Sequence, residues 1–128
     1  MVTINKNSSR PYYEQLVIGI KEDILHGILV PGERVPSVRE MAKQLLMNPN
    51  TVSKAYKVLE SEQVLVTVQG KGTFVKKQEN MPRDEHRIQE LQQQFHILVI
   101  EAKHLQVTDE EIQQWLKQAK KDLGGSQA

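Results

Sequence analysis

The most informative stretch of this chain is residues 37–59, SVREMAKQLLMNPNTVSKAYKVL. Ser37 and Glu40 form a capping box, in which each side chain accepts a hydrogen bond from an otherwise unpaired backbone N–H group. A second helix start follows at Asn48-Pro49, with Asn48 as the cap and Pro49 in the first turn. Two short helices with so brief a connection must cross at a steep angle, which predicts a helix-turn-helix.

Apolar residues recur at helical spacing in both helices and in an earlier one. The stripe of the first helix of the pair is Val38, Met41, Ala42 and Leu45, and that of the second is Val52, Ala55, Tyr56 and Leu59. The earlier helix begins at Pro11, ends at Gly27, and directs inward Tyr13, Leu16, Val17, Ile20 and Ile24.

A β-hairpin is predicted directly after the helix pair. The β-branched runs at 64–68 and 73–75 are joined by Gln69-Gly70-Lys71-Gly72, whose glycines supply the positive φ of a tight turn. Three helices and this hairpin predict a winged helix-turn-helix domain over residues 1–80. Lys71 at the tip can reach a phosphate or the minor groove. A nucleotide-binding loop is excluded because the tip lacks that motif's spacer and its Lys-Ser/Thr pair.

Residues 81–128 are predicted to hold a short linker and a helical dimerisation region. They carry six basic and eight acidic side chains, against eleven and eight in residues 1–80. Thr108 and Glu111 form a second capping box that opens the last helix, with Trp115 inward. The helix before it carries an a/d heptad seam of Ile88, Leu91, Phe95, Leu98, Ala102 and Leu105. Together with Trp115, this seam is more apolar surface than the two helices of a hairpin can hide on each other, so we expect all seven residues to take part in pairing with a second chain.

The second helix of the helix-turn-helix carries a polar face opposite its apolar stripe. At about 100° per residue, the face consists of Asn50, Lys54, Lys57 and Ser61, flanked by Thr51 and Ser53. Amides and hydroxyls can reach base edges and lysines can reach phosphates, and the face has no acidic residue. Any exposed helix has a solvated polar face, but this position favours DNA recognition. Arg39 is either a surface arginine or, on a helix that crosses the DNA backbone, a phosphate contact.

The composition excludes several other classes of protein. The chain has no cysteine, which rules out a disulfide framework, a zinc knuckle and a thiol nucleophile. No two of the four histidines have metal-ligand spacing, and no serine or threonine nucleophile has a histidine nearby in sequence. We therefore predict no metal, no cofactor and no enzymatic activity. Without a bilayer-length apolar run or a signal core, the chain is expected to be cytoplasmic, with no membrane partner.

Two motifs in the first half resemble those of a known family. GERVPSVREMA at 32–42 and GKGTFV at 70–75 resemble the GntR family of bacterial winged-helix repressors, over residues 11–78. NPNTVSKAY at 48–56 resembles its YtrA-like subfamily, in which a short helical dimerisation region follows the winged helix. Residues 83–123 have that length. The resemblance implies a dimeric repressor, in this subfamily often of a transporter operon.

The resemblance also implies which residues contact DNA. The residues at the family's DNA-contacting positions are Arg39, Asn50, Thr51, Ser53 and the wing residues Gln69, Gly70, Lys71 and Gly72. Many GntR proteins have arginines where this chain has Pro49 and Ser53. Base recognition here therefore cannot copy theirs.

The predicted partners are double-stranded DNA with a pseudo-palindromic operator and a second copy of the chain. Two alternatives stay open: an architectural or RNA-binding winged helix, and a protein-interaction module built on the helical hairpin. A footprint without sequence preference would favour the first, and a folded protein without affinity for DNA at low salt the second. The hairpin is too short to enclose a pocket of roughly 300–1,000 Å³, so a small-molecule effector would have to bind at a dimer or interdomain interface.

Overall fold

The computed structural model describes residues 1–79 and 81–124, which form two compact units. The first unit is Met1–Gln78, and the second begins at Glu79. The sequence suggests a frayed end at Gly124 to Ala128, of which Gly125 to Ala128 lie outside the described residues.

The first unit is a winged helix, as the sequence predicted. Its helices are α1 (Tyr12–Leu25), α2 (Val38–Leu45) and α3 (Pro49–Ser61), and its strands are β1 (Arg34–Val35), β2 (Leu65–Val68) and β3 (Gly72–Val75). The strands form an antiparallel sheet in the order β1-β3-β2, in which Leu65 pairs with Val75 and Val35 with Thr73. The short strand β1 was not predicted, because two residues are too few to show an alternating pattern.

The predicted helix caps are confirmed. In the capping box of α2, the Glu40 N–H donates to Ser37 Oγ at 3.1 Å, and the Ser37 N–H donates to Glu40 Oε1 at 2.8 Å. The Asn48 side chain caps α3 by accepting from the N–H of Asn50 at 2.8 Å. These caps satisfy N–H groups that the helices cannot pair internally, and they set where each helix begins.

The core lies between α1, α3 and the sheet. Its largest fully buried side chains are Leu16, Ile20, Val35, Val52, Leu59 and Leu65. Val2 and Ile4, which belong to no predicted element, also pack against this core. A Cβ at Gly19 would lie 2.8 Å from Val2 Cγ1, so the glycine allows the first residues to approach α1 closely.

The second unit consists of α4 (Glu85–His104) and α5 (Asp109–Asp122). Its helical character and the capping box of Thr108 and Glu111 are as predicted. At the turn the Lys103 ammonium pairs with the Asp109 carboxylate, but along their described lengths the two helices do not pack closely. Trp115, which was expected to face inward, is therefore exposed within the chain, since helices that meet only at a turn cannot cover each other's apolar faces.

Candidate nucleic-acid interface

The polar face of α3 is accessible, as its spacing predicted. Asn50, Lys54 and Lys57 are exposed, and Thr51 and Ser53 are half-buried at its sides. The opposite side of the helix is in the core, where the buried residues are Val52, Ala55, Tyr56 and Leu59. The helix thus presents one polar surface from a rigid support.

The side chains at the start of α3 are not used for internal hydrogen bonding. Asn48 alone supplies the cap, since its side chain accepts from Asn50 and its carbonyl accepts from the backbone N–H groups of Thr51 and Val52. Within the described residues, no hydrogen bond uses the side chain of Asn50, Thr51 or Ser53. Their donors and acceptors are therefore available to an external ligand.

A buried tyrosine fixes α3 to the segment that precedes α2. The Tyr56 hydroxyl donates to the Pro36 carbonyl at 2.6 Å, and the side chain is only 3% exposed. Burial raises the pKa of Tyr56 well above its ordinary value of 10, and the nearby negative charge of Glu40 adds to the increase. The phenol stays neutral and can donate throughout the physiological pH range.

The wing is joined to the C-terminal end of α3. The Thr67 hydroxyl of β2 lies 3.0 Å from both Glu60 Oε1 on α3 and the Thr73 hydroxyl on β3. At the tip, the Lys71 N–H donates to the Val68 carbonyl at 2.9 Å and the side chain is exposed. The predicted β-hairpin is confirmed, with Lys71 on its surface.

The backbone conformation and the space available at position 72, at the start of β3, both require glycine. Its φ is +125°, which disfavours any side chain, and a Cβ here would lie 2.8 Å from Arg34 Nε. The Arg34 side chain thus lies against Gly72, with its guanidinium 3.6 Å from the Glu40 carboxylate at the start of α2. Local sequence pattern does not identify Arg34, because its partners Gly72 and Glu40 belong to other elements of the fold.

Two charged residues lie at the start of α2. Arg39 is exposed in the first turn, the position expected for a phosphate contact. The pKa of Glu40 is lowered, first by hydrogen bonds from the Ser37 backbone and hydroxyl and further by the charge of Arg34. Glu40 is thereby committed to the cap and the arginine.

Lys54 has a contact that the sequence did not reveal. Its ammonium lies 4.0 Å from the centroid of the Tyr13 ring, which belongs to α1. Next to this pair is a shallow hollow of about 430 Å³ between the starts of α1 and α3, and its lining residues are Pro11, Tyr12, Tyr13, Asn50, Thr51 and Lys54. The start of α1 therefore borders the candidate interface.

The residues predicted for dimerisation lie on α4, its C-cap and α5. Leu91, Phe95, Leu98, Leu105 and Trp115 are more than half exposed, whereas Ile88 is half-buried and Ala102 is buried. Among residues 1–79 and 81–124, no group of three or more His, Asp or Glu side chains is arranged to hold a metal ion. None of the helices described there is long and apolar enough to cross a membrane.

The winged helix and its motifs match a family of known proteins. The model of the gntR family of bacterial regulatory proteins matches residues 12–75. The chain belongs to the GntR family. It is 39% identical over 125 residues to the HTH-type transcriptional repressor YtrA of Bacillus subtilis (strain 168), covering 98% of this chain and 96% of that protein. The resemblance to GntR and to YtrA-like members is thus confirmed.

Solved structures extend the comparison to both parts of the GntR chain. The crystal structure of a transcriptional antiterminator from Listeria monocytogenes EGD-e superimposes with a TM-score of 0.94 and 38% identity, over 100% of this chain and 96% of that one. The structure of AraR(DBD) in complex with operator ORX1 covers 59% of this chain and 94% of that one, with a TM-score of 0.52 and 32% identity. The chain is a DNA-binding transcription regulator of the GntR family.

Proposed function

We propose that the chain is a dimeric repressor that binds a pseudo-palindromic operator, with α3 of each protomer in the major groove. The observation that carries this proposal is the start of α3, where the side chains of Asn50, Thr51 and Ser53 are accessible and take no part in internal hydrogen bonds. Side-chain amides and hydroxyls discriminate base edges in the major groove. Paired half-sites would mirror the two-fold symmetry of a dimer.

The proposed contacts divide into two kinds. Asn50, Thr51 and Ser53 contact base edges. Cationic side chains contact the phosphates. They are Arg39, Lys54, Lys57 and, on the wing, Lys71. The wing, Gln69 to Gly72, lies along the flanking backbone or minor groove, and the absence of side chains at Gly70 and Gly72 permits close approach.

Dimerisation is proposed for residues 81–128, after a winged helix in residues 1–80. The α4 seam leaves Leu91, Phe95 and Leu98 more than half exposed. Burying such side chains would contribute about 25 cal/mol per Å², and a seam with heptad spacing suits a helix of a second copy. For the regulated genes we propose a transporter operon, on the resemblance to YtrA-like regulators alone.

Footprinting on the DNA upstream of the protein's own gene tests operator binding. Two variants then separate the roles. Lys57→Ala should weaken binding to operator and random duplexes alike and reduce the salt slope by about one unit. Asn50→Ala should cost on the order of 1–3 kcal/mol on the operator, with preference relaxed at particular bases. Equal losses on both duplexes for the two variants would refute base recognition by Asn50 and favour an architectural winged helix.

Sedimentation and operator binding test the dimer together. Phe95→Glu places an unpaired charge in the seam and should give a monomer. The monomer should keep weak, salt-sensitive affinity for DNA but lose most of its preference for the operator, because a dimer that binds two linked half-sites gains affinity through effective concentration. Gln93→Glu adds the same charge at an exposed position outside the a/d seam and is the matched control. A wild-type chain that sediments as a monomer at micromolar concentration would refute the dimer.

A further inference from the structure

We propose that Tyr13 is a positioning residue of the DNA interface: its ring holds the Lys54 ammonium in place for a phosphate of the bound DNA. The inference rests on the proposed function, in which α3 enters the major groove. It concerns a residue of α1, outside the helix-turn-helix and the wing.

The geometry places a half-buried aromatic ring next to an exposed cation. Lys54 Nζ is 4.0 Å from the ring centroid, within the range of a cation–π contact. Tyr13 is half-buried and packs against the hydrophobic core, whereas Lys54 is exposed. The ring therefore has a support that the flexible lysine lacks.

The polar neighbours of Tyr13 keep the surrounding charge favourable to an anion. The hydroxyl of Tyr13 donates to Glu14 Oε1 at 3.4 Å, and Arg10 Nη1 lies 3.3 Å from Glu14 Oε2. A free carboxylate at this edge of the interface would repel a phosphate. Here the Arg10 guanidinium pairs with the Glu14 carboxylate whether or not the Tyr13 hydroxyl is present, and Lys54 on α3 has the Tyr13 ring as its neighbour.

A held lysine binds a phosphate at lower entropic cost than a free one. Ordering a long, charged side chain on binding opposes association, and a side chain already confined in the free protein loses less. The ring faces one side of the ammonium, whose three N–H donors point in different directions. A phosphate oxygen can therefore be bound while the contact with Tyr13 persists.

A double-mutant cycle tests the coupling between the two residues. Binding of the full-length chain to one fixed duplex is measured by fluorescence anisotropy for wild type, Tyr13→Leu, Lys54→Met and the double variant. Tyr13→Leu should weaken binding about threefold in the wild-type background, the scale of an exposed cation–π contact, and should have no effect in the Lys54→Met background. Tyr13→Phe keeps the ring and loses the hydroxyl, so it should bind like wild type.

Any different outcome refutes either the role of Tyr13 or the proposed function. An equal loss from Tyr13→Leu in both backgrounds, or a loss from Tyr13→Phe as large as from Tyr13→Leu, would show a structural role for Tyr13 and overturn the inference. Because phosphate contacts do not depend on sequence, the cycle can be run on a random duplex. A wild-type chain without affinity for any duplex at low salt would refute the proposed function instead.

A measurement on the free protein covers the case in which Tyr13→Leu does not fold. The ring should shift the NMR signals of the Lys54 Cε protons upfield in wild type and in Tyr13→Phe, with Lys57, which lies over no ring in the described structure, as the internal reference. Lys54 signals at the same position as those of Lys57 would overturn the inference without any DNA measurement.

Discussion

Tyr56→Phe should destabilise the winged helix by about 1–2 kcal/mol at neutral pH. The change removes only the hydroxyl that donates to the Pro36 carbonyl at 2.6 Å, and the ring stays in the core. A net hydrogen bond contributes about 0.5–1.5 kcal/mol, and leaving its buried partner unpaired adds to the loss. For a unit of this size, each 1 kcal/mol lowers the melting temperature by about 4–8 °C.

The same variant should lose this disadvantage at high pH. The folded pKa of Tyr56 lies above its ordinary value, so the contribution to stability is complete below pH 10 and is lost as the pH rises toward the folded pKa. Above pH 10 the unfolded wild type ionises at this residue and the folded wild type does not. Its free energy of unfolding then falls by up to about 1.4 kcal/mol per pH unit, whereas the phenylalanine variant has no such ionisation.

Urea unfolding from pH 7 to pH 11 measures the stability difference between the two proteins. The difference should be constant to about pH 10 and should fall to about zero near pH 11. Over about one pH unit, the wild type loses as much stability by ionisation as the variant loses with the hydrogen bond. Other titrating groups cancel in the comparison. Tyr12→Phe, at an exposed tyrosine, is the control and should change neither quantity. A difference that is still constant at pH 11 would refute the assignment of a neutral, buried phenol.

Three further tests by thermal unfolding each concern a single feature of the winged helix. Gly72→Ala should destabilise more than Gly70→Ala, because both have positive φ but only at Gly72 would the new Cβ meet Arg34; equal losses would contradict this. Leu46→Gly should stabilise by about 0.5–1 kcal/mol, since φ of +54° costs a side chain about 1–2 kcal/mol and the 83% exposed leucine buries little in exchange; a loss would mean that the leucine packs. Ser37→Ala should cost about 1 kcal/mol by removing the cap of α2, and no change would show that the cap adds nothing.

Local pattern was enough to predict the winged helix. The predicted caps and turn depend on residues a few positions apart, so they can be recognised in the sequence. They are the two capping boxes, the Asn48 cap and the glycine turn. The accessible face of α3 follows from helical periodicity in the same way. The placement of Asn50 and Lys57 on the surface was therefore predictable, although their contacts with DNA stay predictions.

The contacts that local pattern could not predict join distant parts of the chain. Tyr56 bonds to Pro36, twenty residues earlier, Lys54 lies over Tyr13, and Val2 packs against Gly19. None of these pairs shares a helix or strand, so no periodicity links them. The inward placement of Trp115 was wrong for a related reason, since an apolar stripe predicts that a face is covered but does not identify what covers it.

The separate roles of the two sides of α3 lead to a final prediction about specificity. Base recognition requires Asn50 and Thr51 to be held within about 0.5 Å and 10–20° of their bound positions. The Tyr56 hydroxyl, on the opposite side of the helix, makes a directional bond that opposes rotation of α3 about its axis. A long lysine such as Lys57 can follow a phosphate through a small rotation, but a short amide side chain cannot follow a base edge.

We therefore expect Tyr56→Phe, at temperatures where it is fully folded, to lower affinity for the operator while leaving affinity for random duplex unchanged. An equal loss on both duplexes, measured by anisotropy at one salt concentration, would show that Tyr56 supports the fold without orienting the helix.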